Sequence, residues 1–165
     1  MGVIHCSIPT KLANDLRVKY GLTTFVESGL AQGTSALWAE KLFDTVISIE
    51  VDHESIATFK ARNPQSKVTV IEGDSATEII DVVCNLRQPA LFWLDGHTDN
   101  YTPILAELAA INFSPLPHVI MIDDWRMFGT CPAWPSKEKV VVFATTGERR
   151  AHDIDDVLIA EPITP

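Results

Sequence analysis

Positive charge is scarce in this sequence. Lysine and arginine together number 13, against 22 aspartate and glutamate residues, so the formal net charge is −9 at pH 7. A protein that binds the phosphate backbone of a nucleic acid normally presents a basic surface. The charge balance therefore argues against nucleic acid and favours a small-molecule partner.

Long hydrophobic runs are also missing. The runs VIMI and VVVF are short, whereas a helix that crosses a membrane needs about 20 apolar residues. The N-terminal sequence MGVIHCSIPTKL lacks the charged start and long apolar segment of a secretory signal. We therefore expect a protein with no membrane partner.

Cysteine is rare, and its spacing does not predict a disulfide framework. Cys6, Cys84 and Cys131 form no C-x-x-C pair and are odd in number. This usage is typical of reduced thiols in a cytoplasm-like compartment. We expect a cytoplasmic protein.

Short apolar runs do recur, and helix-like segments separate them. The pattern predicts strands over residues 25–26, 45–51, 67–73, 90–95 and 118–124, and helices over 36–43, 54–61, 76–86 and 103–111. Strands that alternate with helices of this length form a parallel sheet with helices on both faces. We predict a single compact α/β domain over residues 1–165, with a doubly wound, mostly parallel sheet.

The segment after Trp125 carries conflicting signals. Ser136 followed by KEK is typical of a capped helix start, whereas VVVF favours a strand. We predict a helix within residues 136–150. The run DVLIAEP, which ends at Pro162, predicts a strand.

The first strand ends in Glu27 and opens into a loop that contains Gly29 and Gly33. A dinucleotide fingerprint would need glycine two and five positions after Gly29, but Ala31 and Thr34 stand there. Glu50 follows Gly29 at the spacing of one βαβ unit, where a carboxylate accepts hydrogen bonds from ribose hydroxyls. The sequence therefore predicts a nucleoside-like ligand without a pyrophosphate.

Acidic residues end four of the five predicted strands. The carboxyl ends of parallel strands form the ligand crevice of an open sheet, so these side chains can converge there. They are Glu27, Glu50, Asp52, Asp95, Asp123 and Asp124, and Asp74 follows the remaining strand. For Asp52 and Asp74, capping of the next helix is the alternative.

Five segments taken together resemble the motifs of one family. They are ESGLAQGTS, IEVD, EGDS, LFWLDGH and IMIDDW, within residues 24–128. As a set they resemble the class I S-adenosylmethionine-dependent methyltransferases, which have a Rossmann-like sheet. Within that class they are most similar to the metal-dependent O-methyltransferases of the catechol and macrocin types.

The resemblance implies a role for each matching residue. It implies that cofactor contacts come from Glu27, Gly29, Gly33 and Ser35 near the methionine part, Glu50 at the ribose, Asp74 and Ser75 at the adenine, and Asp95 and His97 at the mouth shared with the substrate. It implies divalent-metal ligation by Asp95, Asp123 and Asp124, and oxygen ligands favour Mg²⁺. The expected reaction is methylation of a small-molecule hydroxyl.

The general base stays open. The catechol-type enzymes have a lysine three residues after the first metal ligand, and Thr98 stands there in this sequence. His97, Asp99 and a metal-bound Asp95 are the candidates. Of the two tryptophans near the acidic strand ends, Trp125 is favoured over Trp134 as part of a substrate wall.

The chain departs from the resemblance at both ends. Only 23 residues precede Thr24, and the tail after Ile159 is short. We expect reduced additions, an acceptor pocket that is open or completed by a second subunit in a homodimer, and last antiparallel strands that are shortened or absent. The alternative functions are a non-catalytic nucleoside-binding module and a nucleotide-sugar or NAD-type enzyme, but the second acidic cluster favours a methyltransferase.

Overall fold

Seven strands form one sheet in the computed structural model, which describes residues 7–98 and 100–163. The strands are β1 Thr24–Ser28, β2 Thr45–Glu50, β3 Thr69–Glu72, β4 Ala90–Leu94, β5 Val119–Ile122, β6 Arg149–Ile154 and β7 Val157–Pro162. The helices are α1 Thr10–Tyr20, α2 Thr34–Ala39, α3 His53–Arg62, α4 Ser75–Asn85, α5 Ile104–Ile111 and α6 Lys137–Ala144. The predicted doubly wound α/β fold is confirmed.

The sheet order sets the position of the ligand crevice. The order is β3-β2-β1-β4-β5-β7-β6, and the first five strands are parallel. The chain runs outward from β1 to β3 and then returns to place β4 on the other side of β1. This reversal separates the loops that follow β1 and β4, so a crevice opens at their carboxyl ends.

Both faces of the sheet are buried, as the continuous apolar runs predict. Val26, Phe92 and Ile120 point into the core layer beneath α4, α5 and α6. Phe25 and Trp93 point into the layer on the opposite face, beneath α1, α2 and α3. None of the helices in the described part of the chain has the length and apolar composition of a membrane-spanning segment.

The C-terminal hairpin differs from the expectation. Strands β6 and β7 have six residues each and pair antiparallel along their full length, so the expectation of shortened or absent strands was wrong. Asp155 and Asp156 form the two-residue turn with φ of 47° and 70°. Such turns need positive φ at both positions and normally use Asn-Gly or Asp-Gly, so Asp-Asp gave little sequence signal.

The helix predicted within residues 136–150 is confirmed over Lys137–Ala144. The Ser136 hydroxyl accepts a hydrogen bond from the Lys139 amide, which caps the first turn. Its apolar run is helical because Val140 and Ala144, one turn apart, are both buried on the same side.

Helix α1, which sequence reasoning missed, ends at Gly21 in the left-handed conformation.

Glu161 connects helix α1 to strand β7 of the sheet. Its buried carboxylate accepts hydrogen bonds from Lys19 Nζ at 2.6 Å and from the Tyr20 hydroxyl at 2.7 Å. Arg150 Nη2 lies 2.9 Å from the other carboxylate oxygen. Burial opposes ionisation of Glu161, but these donors outweigh it and lower its pKa to about 2.

We expect Glu161→Gln to lower the free energy of unfolding at pH 7 by about 1–3 kcal/mol, because it removes a buried charge from three donors. A carboxyl with a lowered folded-state pKa stabilises the fold above its unfolded pKa of about 4.5. The advantage of the wild type is therefore lost as the pH falls through 4.5 towards 2. Urea unfolding at pH 7 and pH 3 measures this, with the exposed Glu54→Gln as control; equal losses at both pH values would contradict it.

Candidate functional site

A cavity of about 570 Å³ lies at the carboxyl edge of the sheet. It spans the ends of β1, β2, β3 and β4, as the strand order requires. Its lining includes Gly29, Ala31, Glu50, Val51, Gly73, Asp74, Ser75, Asp95, His97 and Tyr101. Six of the predicted cofactor residues therefore meet in one cavity.

Glu50 is held rigidly in the wall of this cavity. One carboxylate oxygen accepts a hydrogen bond from the Ala31 amide at 2.9 Å, and the other accepts from the Asp52 amide at 2.9 Å. Only 9% of the residue is exposed. Each carboxylate oxygen can accept a second hydrogen bond, so Glu50 remains able to receive hydroxyl donors from a ligand.

Gly29 allows the ends of β1 and β4 to touch. Its φ is +87°, and a Cβ atom there would lie 3.0 Å from the Asp95 carbonyl oxygen. A larger residue would push these strand ends apart. Gly33 lies outside the cavity lining, where a Cβ would overlap the Phe59 ring at 2.3 Å, so its role in the fold is close packing.

Asp74 combines the two roles that the sequence left open. Its Oδ1 accepts from the Ala76 amide at 2.9 Å and caps α4, while its carboxylate lines the cavity. The Tyr101 hydroxyl donates to Asp74 Oδ2 at 3.1 Å. Tyr101 is a cavity residue that sequence reasoning missed, because it lies in a loop without a recognisable motif. Asp52 caps α3 through the Ser55 amide.

Two other predicted cofactor residues lie outside the lining of the cavity. Glu27 is 1% exposed and accepts from the Ser48 hydroxyl at 2.7 Å. Burial, with the charges of Asp95 and Glu50 nearby, raises its pKa to about 8. The Ser35 hydroxyl accepts a hydrogen bond from the Ile8 amide at 3.1 Å.

A cluster of two carboxylates and one imidazole borders the cavity. His97 Nε2 lies 3.1 Å from Asp124 Oδ2 and 3.9 Å from Asp95 Oδ1. One atom from each residue falls within 4.8 Å of the other two. The Trp134 ring packs against His97 with 5.0 Å between centroids, whereas Trp125 is buried and packs against Phe128.

The predicted metal carboxylates lie in one region of the structure. Asp95 and Asp124 belong to the cluster with His97, and Asp123 acts on Asp95 as a neighbouring charge. Asp124 adopts a left-handed conformation, with φ of 52°. Asp123 is buried and, with His97, lines a small recess beneath the cluster. Arg126 Nη1 lies 2.7 Å from Asp124 Oδ1. Asp99 lies outside the described residues.

The cluster shifts the pKa of each member. Burial, followed by the charge of Asp123, raises the pKa of Asp95 to about 7. The hydrogen bond with Asp124 raises the pKa of His97, although partial burial opposes it. The same hydrogen bond, helped by Arg126, lowers the pKa of Asp124. Asp95 therefore holds or releases a proton near neutral pH, which suits proton transfer.

We expect Asp124→Asn to lower the pKa of His97, because it removes the carboxylate that favours the protonated ring. NMR titration of the imidazole in EDTA measures this, and Asp15→Asn on exposed α1 is the control. Because the pKa of His97 is raised in the folded state, the His97–Asp124 pair stabilises the fold at pH values below 6.5, the ordinary pKa of histidine. This stabilisation is lost as the pH rises through the folded-state pKa of His97. An unchanged His97 titration in Asp124→Asn would contradict the ion pair.

Comparisons with known proteins identify the fold. No family model and no curated protein matches the sequence. Among solved structures, the SAM-bound amino pentose methyltransferase CalS10 from Micromonospora echinaspora has a TM-score of 0.70 at 11% identity, covering 92% of this chain and 89% of that chain. A putative caffeoyl-CoA O-methyltransferase from Staphylococcus aureus has a TM-score of 0.68 at 17% identity, covering 98% and 86%.

An rRNA methylase from Streptococcus thermophilus is also similar, with a TM-score of 0.57 at 15% identity over 93% of this chain and 97% of that chain. Identities this low establish a common fold and leave the acceptor undecided. The chain has the fold of the class I S-adenosylmethionine-dependent methyltransferases.

Proposed function

We propose that this protein is an S-adenosylmethionine-dependent methyltransferase that methylates a hydroxyl group of a small molecule. The observation that carries the proposal is the Glu50 carboxylate, fixed by two backbone amides in the wall of a 570 Å³ cavity at the strand edge. A glycine loop without a pyrophosphate fingerprint borders the same cavity. This combination fits a nucleoside cofactor without a phosphate bridge.

The cavity residues fit the adenosyl part of the cofactor by their chemistry. Glu50 offers free lone pairs to ribose hydroxyls, and Asp74 offers an acceptor to the adenine amino group. Val51 lines the same cavity and is 65% exposed, so an apolar surface is available to a base. For Glu27, Gly33 and Ser35, the proposal retains a supporting role behind the cavity wall.

The cluster beside the cavity supports an enzyme over a binding module. A module that only binds a nucleoside has no use for Asp95, His97 and Asp124 at its mouth. Bound S-adenosylmethionine would supply a methyl group on a sulfonium, which is transferred by direct displacement. In the site without an ion, Asp95, with its pKa near neutrality, is suited to take the proton that the acceptor hydroxyl loses.

A divalent ion fits the donor set of this cluster. Ligand atoms about 2.1 Å from one ion lie at most about 4.2 Å apart. The two His97 separations, 3.1 and 3.9 Å, meet this limit, and the ligand atoms of Asp95 and Asp124 lie within 4.8 Å of each other. The proposal therefore assigns the ion to Asp95, His97 and Asp124, with Asp123 behind them. When bound, the ion would lower the pKa of the acceptor hydroxyl and orient it. Mg²⁺ and Mn²⁺ are the candidates, because carboxylate ligands suit both ions.

Arg126 supports a metal-free alternative for the same reaction. Its guanidinium already neutralises one oxygen of Asp124, and His97 contacts the other. In that case Asp95 acts alone as the base and His97 orients the acceptor. Chelation separates the two versions without changing the proposed cofactor.

The charge of the protein favours a small-molecule acceptor. A net charge of −9 repels an RNA backbone, although the rRNA methylase shares the fold. The O-methyltransferase supports small hydroxyl compounds as the first acceptors to assay, and the amino pentose methyltransferase supports including amino sugars. A panel of catechols and sugars, with RNA as the contrasting substrate, tests this class.

We expect Glu50→Ala to weaken S-adenosylhomocysteine binding by about tenfold to a hundredfold, because it removes charge-assisted hydrogen bonds. Isothermal titration calorimetry measures this, and circular dichroism shows whether the variant is folded. Glu54→Gln lies nearby on exposed α3 and is expected to bind as the wild type does. A wild-type protein that does not bind S-adenosylhomocysteine would overturn the proposed function.

We expect EDTA to abolish methyl transfer while S-adenosylhomocysteine binding persists. His97→Ala and Asp124→Asn should each weaken Mn²⁺ binding by at least about tenfold, since each removes one ligand. Electron paramagnetic resonance of Mn²⁺ measures this directly, with the exposed His53→Ala as the control. Transfer that continues at an unchanged rate in EDTA would refute the metal and leave Asp95 as the base.

A further inference from the structure

Glu107 is a buried acid for which the proposed mechanism has no use. It lies on α5 and is 1% exposed, among apolar core residues such as Leu108 and Ile111. None of the ion pairs found between described residues includes it. Burying a carboxyl without a cation costs stability, so its presence needs an explanation.

The partners of Glu107 belong to the wall of the cavity. The Ser75 hydroxyl donates to Glu107 Oε1 at 2.7 Å, and Ser75 lines the cavity at the start of α4. The Ser28 side chain also faces this carboxyl and lowers its pKa. Ser28 Oγ in turn accepts the Gly96 amide at 3.3 Å. The carboxyl thus connects the ends of β1 and β4 with the start of α4.

Gly96 and Ser28 are packed so closely that neither can move without the other. A Cβ atom on Gly96 would lie 3.1 Å from Ser28 Cβ and 3.2 Å from its hydroxyl. Asp95 and His97, the residues on either side of Gly96, belong to the acidic cluster. A shift of Ser28 would therefore move the backbone that carries both side chains.

The electrostatics of Glu107 agree with this picture. Burial raises its pKa to about 7, while hydrogen bonds from Ser75 and Ser28 oppose the rise. A leucine of similar volume would fill the same space without a polar group to bury. Stability alone would favour the apolar residue, whereas the two serine hydroxyls would lose their acceptor.

We infer that Glu107 is a positioning residue, which holds Ser75 and Ser28 so that the cofactor wall and the Asp95–His97 segment keep their relative place. The inference rests on the proposed cofactor site. Glu107 lies outside all of the sequence motifs from which the site was predicted. Burying the Glu107 carboxyl lowers the stability of the fold, but the residue orders the cavity before the ligand binds, which favours binding.

The test compares Glu107→Leu with Glu107→Gln. The leucine variant removes the hydrogen-bond acceptor of Ser75 and the carboxyl that faces Ser28, so we expect S-adenosylhomocysteine affinity to fall about tenfold while the melting temperature stays equal or rises. The glutamine variant keeps an acceptor for Ser75 and should bind within about threefold of the wild type. Calorimetry and thermal unfolding give the two readouts. A folded leucine variant that binds as tightly as the wild type would overturn the inference.

A second variant keeps the test decisive if Glu107→Leu does not fold. Ser28 does not line the cavity, and its hydroxyl accepts the Gly96 amide, so Ser28→Ala removes a link between the strand ends without changing a cavity-lining side chain. We expect Ser28→Ala to bind S-adenosylhomocysteine more weakly than the wild type does. Ser114→Ala, which removes a hydroxyl from His118 far from the cavity, is the matched control. Unchanged binding in Ser28→Ala would also overturn the inference.

The outcome for the wild type separates this inference from the proposed function. If the wild type does not bind S-adenosylhomocysteine, the proposed cofactor site fails and the role of Glu107 falls with it. If the wild type binds and both Glu107→Leu and Ser28→Ala bind equally well, only the positioning role fails.

Discussion

The contact between Gly29 and the Asp95 backbone is the constraint on which the site depends. It lies at the carboxyl ends of β1 and β4, the paired strands at which the strand order along the chain reverses. Because all neighbouring strands are parallel there, the residues that follow them share one edge. Glu50 and Asp74 thereby face the same cavity as Asp95. Any residue other than glycine at position 29 would place a Cβ atom against the Asp95 backbone, and the ends of β1 and β4 could not approach this closely.

Collecting acids at one edge has an electrostatic consequence. Burial opposes ionisation of each carboxyl, and neighbouring carboxylates add to that effect, so the pKa values of Glu27, Asp95 and Glu107 all rise towards or above neutrality. The pKa of Asp124 is lowered instead, because His97 donates a hydrogen bond to it and Arg126 adds a positive charge. The edge therefore contains carboxyls with different proton affinities, which is the condition for giving them different chemical roles.

Much of the fold was predictable because it depends on local patterns. Continuous apolar runs marked the five parallel strands, and the spacing from Gly29 to Glu50 indicated the cavity wall. The hairpin was not predictable in the same way. Asp155 and Asp156 adopt positive φ because β6 and β7 pair on either side of them, and the two aspartates alone give no such signal.

The sequence by itself determined which residues end the strands and that acids dominate there, since strand length and hydrophobicity are local properties. Only the tertiary structure decided which acids meet. Asp124, in a left-handed conformation, pairs with His97. The packing of α5 brought Glu107 to Ser75, which lies 32 residues away in the chain. Such contacts depend on backbone direction and helix packing, which the sequence pattern does not specify.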